Sequence, residues 1–413
     1  MIAKERVTNK WLVLAMTTAV LAGTIGIPFT AMPVLFTSVS KEIELTLAQI
    51  GIMWGVFPIG VAIFALPGGM LVDRFGFRKV VAICCFIIAL TNASRGFSGD
   101  PITLAATMFL CGLSIGALIP SMPKVIGLFF PPRQLGLALG IFNSGFSIGG
   151  VLATALTVNL VLPLVGSWRS VLFSYSAVCV ILGVIWLLVV KEAAPSQTTV
   201  DTDANTAKVP FRESLGAVLR VRDMWLITIA NVGMMGSFIA IMGYLPIYLE
   251  NMGIPKGTAD VIASTNFIAG ILGTIILPAL SDRIGFRKII LISCVGVMAI
   301  CTYLVSISGA VFYWVLIPLI GFNVQSACTL CFALLLENKE IGTIYGGSAI
   351  GILTFGQFSG GFLMPVIGGN LAERNQSWPF VFWAGIIFVA VLCFSLVRAA
   401  SSHKSVRNTV SVE

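Results

Sequence analysis

Two short charged stretches of the chain are nearly identical: Asp73-Arg74-Phe75-Gly76-Phe77-Arg78-Lys79 and Asp282-Arg283-Ile284-Gly285-Phe286-Arg287-Lys288. They differ at one of seven positions and begin 209 residues apart in a chain of 413 residues. Each stretch lies between two long apolar runs, so each is predicted to form a tight polar loop between membrane helices. A loop that repeats at half the chain length indicates two homologous membrane halves, an arrangement typical of secondary transporters.

The composition independently indicates a membrane protein. Hydrophobic residues make up 57% of the chain and charged residues 10%, whereas a soluble domain carries about 25% charged residues. The apolar runs are long enough to cross about 30 Å of hydrocarbon, and they are continuous rather than alternating, which favours helices over a barrel. The sequence predicts an all-α membrane protein with twelve transmembrane helices at about 11–37, 46–72, 79–97, 101–129, 132–161, 167–190, 223–249, 257–281, 287–308, 311–336, 341–370 and 377–399.

One polar stretch separates the two halves. Residues 191–222 are rich in Ser, Thr and Asp and end in a basic piece. We therefore predict a first six-helix bundle at 1–190, a linker at 191–222, and a second six-helix bundle with a short tail at 223–413.

The basic residues predict the orientation in the membrane. Nineteen of the 25 Lys and Arg residues fall on the side of the termini and the linker, five fall on the other side, and Lys124 lies inside the fourth apolar run. By the positive-inside rule, both termini are expected in the cytoplasm, and we expect a multi-pass protein of the cell inner membrane. The net charge of +8 then reflects contact with the anionic lipid bilayer rather than with nucleic acid.

The first charged stretch resembles the loop signature of the major facilitator superfamily. Gly69-Met70-Leu71-Val72 followed by Asp73 to Lys79 matches the family pattern of Gly, three residues, Asp, Arg, any residue, Gly, any residue and two basic residues. The second copy is similar but has Pro278 where the first glycine would be. The resemblance covers nearly the whole chain. It implies a monomer of two pseudo-symmetric six-helix bundles around a central cavity, working by alternating access.

The two loops have two open interpretations. Gly76 and Gly285 allow a tight turn, and Asp73 is able to cap a helix or pair with a loop arginine. If these contacts form only when the cytoplasmic ends of the bundles meet, they favour the outward-open state; otherwise the loops only set the topology. The expected conformational switch comprises Gly69, Asp73, Arg74, Gly76, Arg78, Asp282, Arg283, Gly285 and Arg287.

The acidic residues argue against a proton relay through the membrane centre, which normally uses Asp, Glu or His. All seventeen fall in predicted loops or within about a turn of a helix end, and the single histidine, His403, lies in the tail. Phe146 stands where the family's antiporter motif has proline, and Met108 stands where many proton-coupled members have arginine. A proton-coupled multidrug or metabolite exporter is therefore the alternative, not the first choice. A coupling proton or ion stays open.

Lys124 is the deepest charge and has two interpretations. It lies seven residues before Pro131, which places it about 10 Å inside the predicted cytoplasmic helix end. Its side chain either reaches back to the cytoplasmic interface or faces the cavity and attracts an anion.

Neutral polar residues near the middle of the spans complete the expected substrate site. They are Asn143, Ser147, Asn266, Asn323 and Gln357, with Tyr244 as an outer gate. Each could instead form a hydrogen bond between helices.

These observations predict a secondary transporter for a small organic, carboxylate-like anion, working by uniport, exchange or symport. Neither a nucleophile–base pair nor a metal constellation is recognised, so we expect no enzyme, no cofactor and no metal site. A sensor or scaffold that keeps the fold without cycling is a further alternative, although the chain offers no sizeable soluble domain for that role.

Overall fold

The computed structural model describes residues 9–119, 121–190, 216–338 and 346–398, with the backbone alone at 66–74, 124, 132–133, 135–136, 282 and 346–347. Within these ranges the chain is helical and contains no strand. Twelve helices are long and apolar enough to cross a membrane, so the predicted all-α fold is confirmed. They are α1 (Lys10–Ile43), α2 (Leu47–Phe75), α3 (Phe77–Gly96), α4 (Pro101–Phe129), α5 (Leu137–Val165), α6 (Trp168–Val189), α7 (Arg222–Asn251), α8 (Lys256–Ile284), α9 (Arg287–Val305), α10 (Ala310–Leu336), α11 (Gly346–Arg374) and α12 (Trp378–Leu396).

The helix ends follow from local sequence. Asp100 precedes Pro101 and its side chain accepts hydrogen bonds from the backbone N–H groups of Ile102 and Thr103, at 2.9 and 3.0 Å. This is an N-cap, and the hydrogen bonds from Thr103 and Ile102 lower the pKa of the Asp100 carboxyl. The two charged loops turn at Gly76 and Gly285, whose φ angles of 81° and 80° suit glycine.

Helix α1 changes its winding in the middle. Residues Leu21–Gly26 form a π-helical segment between two α-helical parts, and a proline, Pro28, follows at once. Helix α5 packs against this segment, where a Cβ on Gly149 would lie 2.4 Å from the Ala22 carbonyl oxygen. The two backbones therefore touch, and only glycine fits at that point.

Helices α1–α6 form the first bundle and α7–α12 the second. We call the end of the bundles that carries residues 9, 190 and 216 the linker end, and the opposite end the distal end. Helix α2 packs on α4 inside its bundle and on α11 of the other bundle, while α5 packs on α8 and α1 on α7. The two bundles thus meet along α1, α2 and α5 of the first bundle and α7, α8 and α11 of the second. Most of the predicted linker, 191–215, lies outside the described residues.

Candidate functional site

Side chains join the two bundles at the distal end. The Thr37 hydroxyl of α1 donates to the Glu250 carboxylate at the end of α7, with 3.0 Å between the oxygens. The Lys256 ammonium at the start of α8 donates to the hydroxyl of Ser38 at 2.8 Å. Both bonds run from α1 to the second bundle, so separating the bundles at this end must break them.

Close backbone contact between α2 and α11 reinforces this closure. The backbone N–H of Ala48 donates to the Glu373 carboxylate at 3.2 Å. One turn deeper, a Cβ on Gly51 would lie 2.4 Å from the carbonyl oxygen of Pro365 and 3.2 Å from the Cα of Gly369. The absence of a side chain at Gly51 therefore allows the two helices to touch.

An aromatic cluster closes the interface near the middle of the membrane. The rings of Phe29 and Trp54 lie 4.5 Å apart, those of Phe29 and Phe146 6.0 Å apart, and Phe146 reaches Phe267 of α8 at 6.2 Å. The buried indole N–H of Trp54 also donates to the Ile239 carbonyl oxygen of α7 at 2.7 Å. We call Phe29, Trp54, Phe146 and Phe267 the aromatic partition.

Little space remains between the bundles on the distal side of this partition. The cavity lined by Phe29, Trp54 and Phe267, together with Pro33 and Pro246, has a volume of about 10 Å³. That volume holds about one water molecule. An organic solute therefore has no room to pass through this cavity.

Contacts at the linker end have a different character. The Arg78 guanidinium donates to the Leu187 carbonyl oxygen of α6, and Lys288 donates to the Val397 carbonyl oxygen at 2.6 Å. Arg287 forms an ion pair with Glu337 of α10. Each of these three contacts stays within one bundle.

Two of the predicted site residues lie on the linker side of the aromatic partition. Asn143 is exposed and precedes Phe146 by three residues, which places it about one turn closer to the linker end. Gln357 is half-buried and precedes Gly361, where α11 contacts Pro58 of the first bundle.

Three further predicted residues lie inside the helix packing. Asn266 is buried, its amide lies 3.4 Å from the sulfur of Met242, and it packs against Gly321. Asn323 is buried and donates to the Leu319 carbonyl oxygen of its own helix at 2.8 Å. Ser147 is also buried. No hydrogen bond joins any two of Asn143, Ser147, Asn266, Asn323 and Gln357, all of which lie in the described ranges.

Tyr244, predicted as an outer gate, lies within the second bundle. Its ring packs against Tyr248, Phe380 and Trp383 at 5.9 to 6.1 Å between centroids. Its hydroxyl donates to the Gln376 carbonyl oxygen at 3.2 Å. In this conformation Tyr244 therefore packs inside the second bundle.

Several predicted residues fall where only the backbone is described. The side chains of Lys124, Asp73, Arg74 and Asp282 lie outside the described part of the chain, and Gly69 is described by its backbone alone. Arg283 is exposed.

Sequence reasoning missed the importance of Asp260. Sequence analysis placed it only within about a turn of a helix end, and the structure adds that its side chain is fully buried. The signal was available in the spacing, since Lys256 and Asp260 are four residues apart and face one side of a helix.

Comparison with known proteins identifies the family. The sequence profile of the Major Facilitator Superfamily matches residues 14–346, which is well over half of the chain. The chain belongs to this superfamily. Its structure superposes on the nucleoside transporter NupG with a TM-score of 0.76 at 16% identity, covering 94% of this chain and all of that one (100%). A bacterial homologue of the human lysosomal transporter Spinster, in an inward-facing and unoccupied conformation, gives a TM-score of 0.73 at 14% identity, covering 94% and 96%.

Curated superfamily members resemble the chain over most of their length. The probable sulfoacetate transporter SauU of Cupriavidus necator is 24% identical, covering 86% of both chains. The probable galactarate/D-glucarate transporter GudP of Escherichia coli is 25% identical, covering 86% of this chain and 84% of its own. The gallate transporter of Pseudomonas putida is 24% identical, covering 94% and 91%.

Proposed function

We propose that this protein is a secondary transporter that moves a small organic anion across the cell inner membrane by alternating access. The observation that carries the proposal is a distal half closed by contacts between the bundles, with Asn143 exposed and Gln357 half-buried on the linker side of the aromatic partition. Alternating access requires that one side of the interface between the bundles is closed while the other side admits the solute. The family and its curated relatives, all transporters, favour this over an enzyme.

The names of the relatives support an anionic solute. Sulfoacetate, galactarate, D-glucarate and gallate each carry at least one carboxylate or sulfonate at neutral pH. The identities of 24 to 25% support the class of solute. We therefore propose a carboxylate-like organic anion, and leave uniport, exchange and symport as the modes to be distinguished.

The charge distribution supports a cytoplasmic linker end. Nineteen of 25 basic residues lie on that side, and such an excess marks cytoplasmic loops. With this orientation the conformation described here is the inward-facing one. The solute then reaches the site from the cytoplasm, and the two charged loops lie at the ends of the bundles that must meet when the transporter turns outward.

The proposed binding residues are Lys124, Asn143 and Gln357. The amide groups of Asn143 and Gln357 are able to donate hydrogen bonds to a carboxylate, and Lys124 would supply the positive charge. Asn266 and Asn323 are buried within the helix packing, so we assign them to packing in this state.

The proposal is tested with the purified full chain in proteoliposomes. Counterflow of a labelled sulfonate or aldarate should be inhibited by organic carboxylates, but not by chloride, nitrate or cationic dyes. Asn143→Ala should raise the half-saturating concentration of the solute severalfold. The matched control is Asn370→Ala, because Asn370 is also an exposed helical asparagine but bonds to Val366 near the distal end. Transport of cationic dyes with no response to any organic anion would overturn the proposal in favour of the exporter.

A further inference from the structure

Among the described residues, Asp260 is a buried carboxylate without a hydrogen-bond donor. It lies one turn inside α8 and is fully buried, and neither of its carboxylate oxygens receives a hydrogen bond from the described residues. An ionised carboxylate that has lost its water and gained no donor is strongly unfavourable. The group is therefore far easier to accommodate in this state as a neutral acid.

The charged neighbours do not compensate for this burial. Lys256 lies on the same face of α8, but its ammonium donates to Ser38 across the interface between the bundles. Glu250 at the end of α7 places a second negative charge near Asp260. The positive charge of Lys41 in α1 repels that of Lys256. Helices α5 and α10, which also pack on α8, carry no charged residue within Leu137–Val165 or Ala310–Leu336.

One of the contacts that close the distal end, from Lys256 to Ser38, lies one helical turn from Asp260. Ser38 and Thr37 belong to α1 of the first bundle, whereas Lys256, Asp260 and Glu250 belong to the second. Separation of the bundles at this end breaks the bond between Lys256 and Ser38 and admits water. Lys256 is then free to pair with the Asp260 carboxylate four residues further along the helix.

We propose that Asp260 is a proton-binding site that couples the conformation of the distal end to pH: the carboxyl is protonated when that end is closed and ionised when it is open. This inference rests on the proposed alternating access. The step is a simple proton transfer between water and one carboxylate oxygen, and it requires no other reactant.

The direction of the pH effect follows from linkage. A ligand that binds one of two states more tightly shifts the equilibrium toward that state, so acid favours the closed distal end and base favours the open one. For a single proton the ratio of closed to open molecules changes by up to about tenfold per pH unit.

The test measures the distal distance in the full chain. Spin labels at Gly99→Cys and Gly309→Cys sit in distal loops of the two bundles, where a Cβ meets nothing within 4 Å. In lipid nanodiscs between about pH 5 and pH 9, double electron–electron resonance should show the short distance gaining population as the pH falls. Asp260→Asn, a neutral mimic of the protonated acid, should hold the short distance at every pH.

The control is Asp100→Asn, because Asp100 is an exposed distal carboxylate that caps α4. It should keep the full pH response. A pH response that survives in Asp260→Asn, or a wild-type distance that ignores pH, overturns the proposal. If Asp260→Asn does not fold, Asp260→Ser gives a second neutral variant with the same expectation. The measurement needs no solute, so failure to transport an anion leaves this result unaffected. A spin-label distance that never changes under any condition counts against alternating access itself.

Discussion

At the scale of single residues, Trp54 makes the most specific contact between the bundles. Its indole N–H bonds to the Ile239 carbonyl oxygen across the interface, and its ring stacks near Phe29. Trp54→Phe keeps an aromatic ring but removes the hydrogen bond, which is worth about 0.5–1.5 kcal/mol, and part of the packed indole. We expect the closed distal population to fall about fivefold, measured by the distal spin-label distance. An unchanged population would mean that the bond forms equally in both states.

Lys124 carries the second prediction at this scale. If its ammonium faces the solute, Lys124→Gln should weaken anion binding by about tenfold or more, because charge-assisted hydrogen bonds are worth about 1.5–3 kcal/mol. Lys124→Arg should retain part of the affinity. Equilibrium binding of a labelled organic anion measures both. If Gln leaves the affinity unchanged, Lys124 reaches the interface instead, and a neutral solute bound by Asn143 and Gln357 becomes the better interpretation.

Residue identity alone predicted some of these positions and not others. Asn143 and Gln357 were proposed because polar groups in the middle of apolar helices are conspicuous, and their role in binding stays a prediction. Asp260 was counted among the acids near helix ends, and its burial was not predicted. Its burial arises from the packing of helices that are distant in the sequence, and such packing has no local signal.

At the scale of helices, hydrophobic length was a reliable guide because the membrane thickness fixes how long each apolar run must be. The main difference is α1, predicted to end at 37 and found to end at Ile43. Its last turns are polar because Thr37 and Ser38 bind the second bundle rather than lipid. The π-helical segment Leu21–Gly26 was not predicted, since it depends on how α1 packs against α5.

The contact between α1 and α5 gives a prediction of stability. A Cβ on Gly149 would lie 2.4 Å from the Ala22 carbonyl oxygen and 2.8 Å from the Cα of Gly26. Gly149→Leu must push the helices apart, and overpacking of this kind costs about 1–3 kcal/mol. Thermal unfolding in detergent should show a clear fall in Tm. Gly140→Leu is the control, because a Cβ at Gly140 on the same helix meets nothing within 4 Å, and it should leave Tm nearly unchanged.

At the scale of the whole molecule, the repeated charged loops predicted two homologous halves, but not which end of the bundles is closed. The closed end is decided by contacts between residues more than 200 positions apart, such as Thr37 with Glu250.

The loop switch concerns the opposite end. Asp73→Asn should slow transport while leaving solute affinity nearly unchanged, because Asp73 is expected to favour one conformation without touching the solute. Rapid transport with a large loss of affinity would contradict this role.

Gly51 allows the opposite shift to be tested. Because a Cβ there would lie 2.4 Å from the Pro365 carbonyl oxygen of the other bundle, Gly51→Leu cannot be accommodated while α2 and α11 touch. The bundles separate on opening, so the larger side chain should be tolerated in the distally open state and the short distance between labels at Gly99→Cys and Gly309→Cys should be largely lost. Gly296→Leu, at a position in α9 with open space around its Cβ, should keep the wild-type distribution. Persistence of the short distance in Gly51→Leu would show that α2 and α11 are able to slide past each other without opening, and that closure depends on the bonds of Thr37, Ser38 and Trp54 instead.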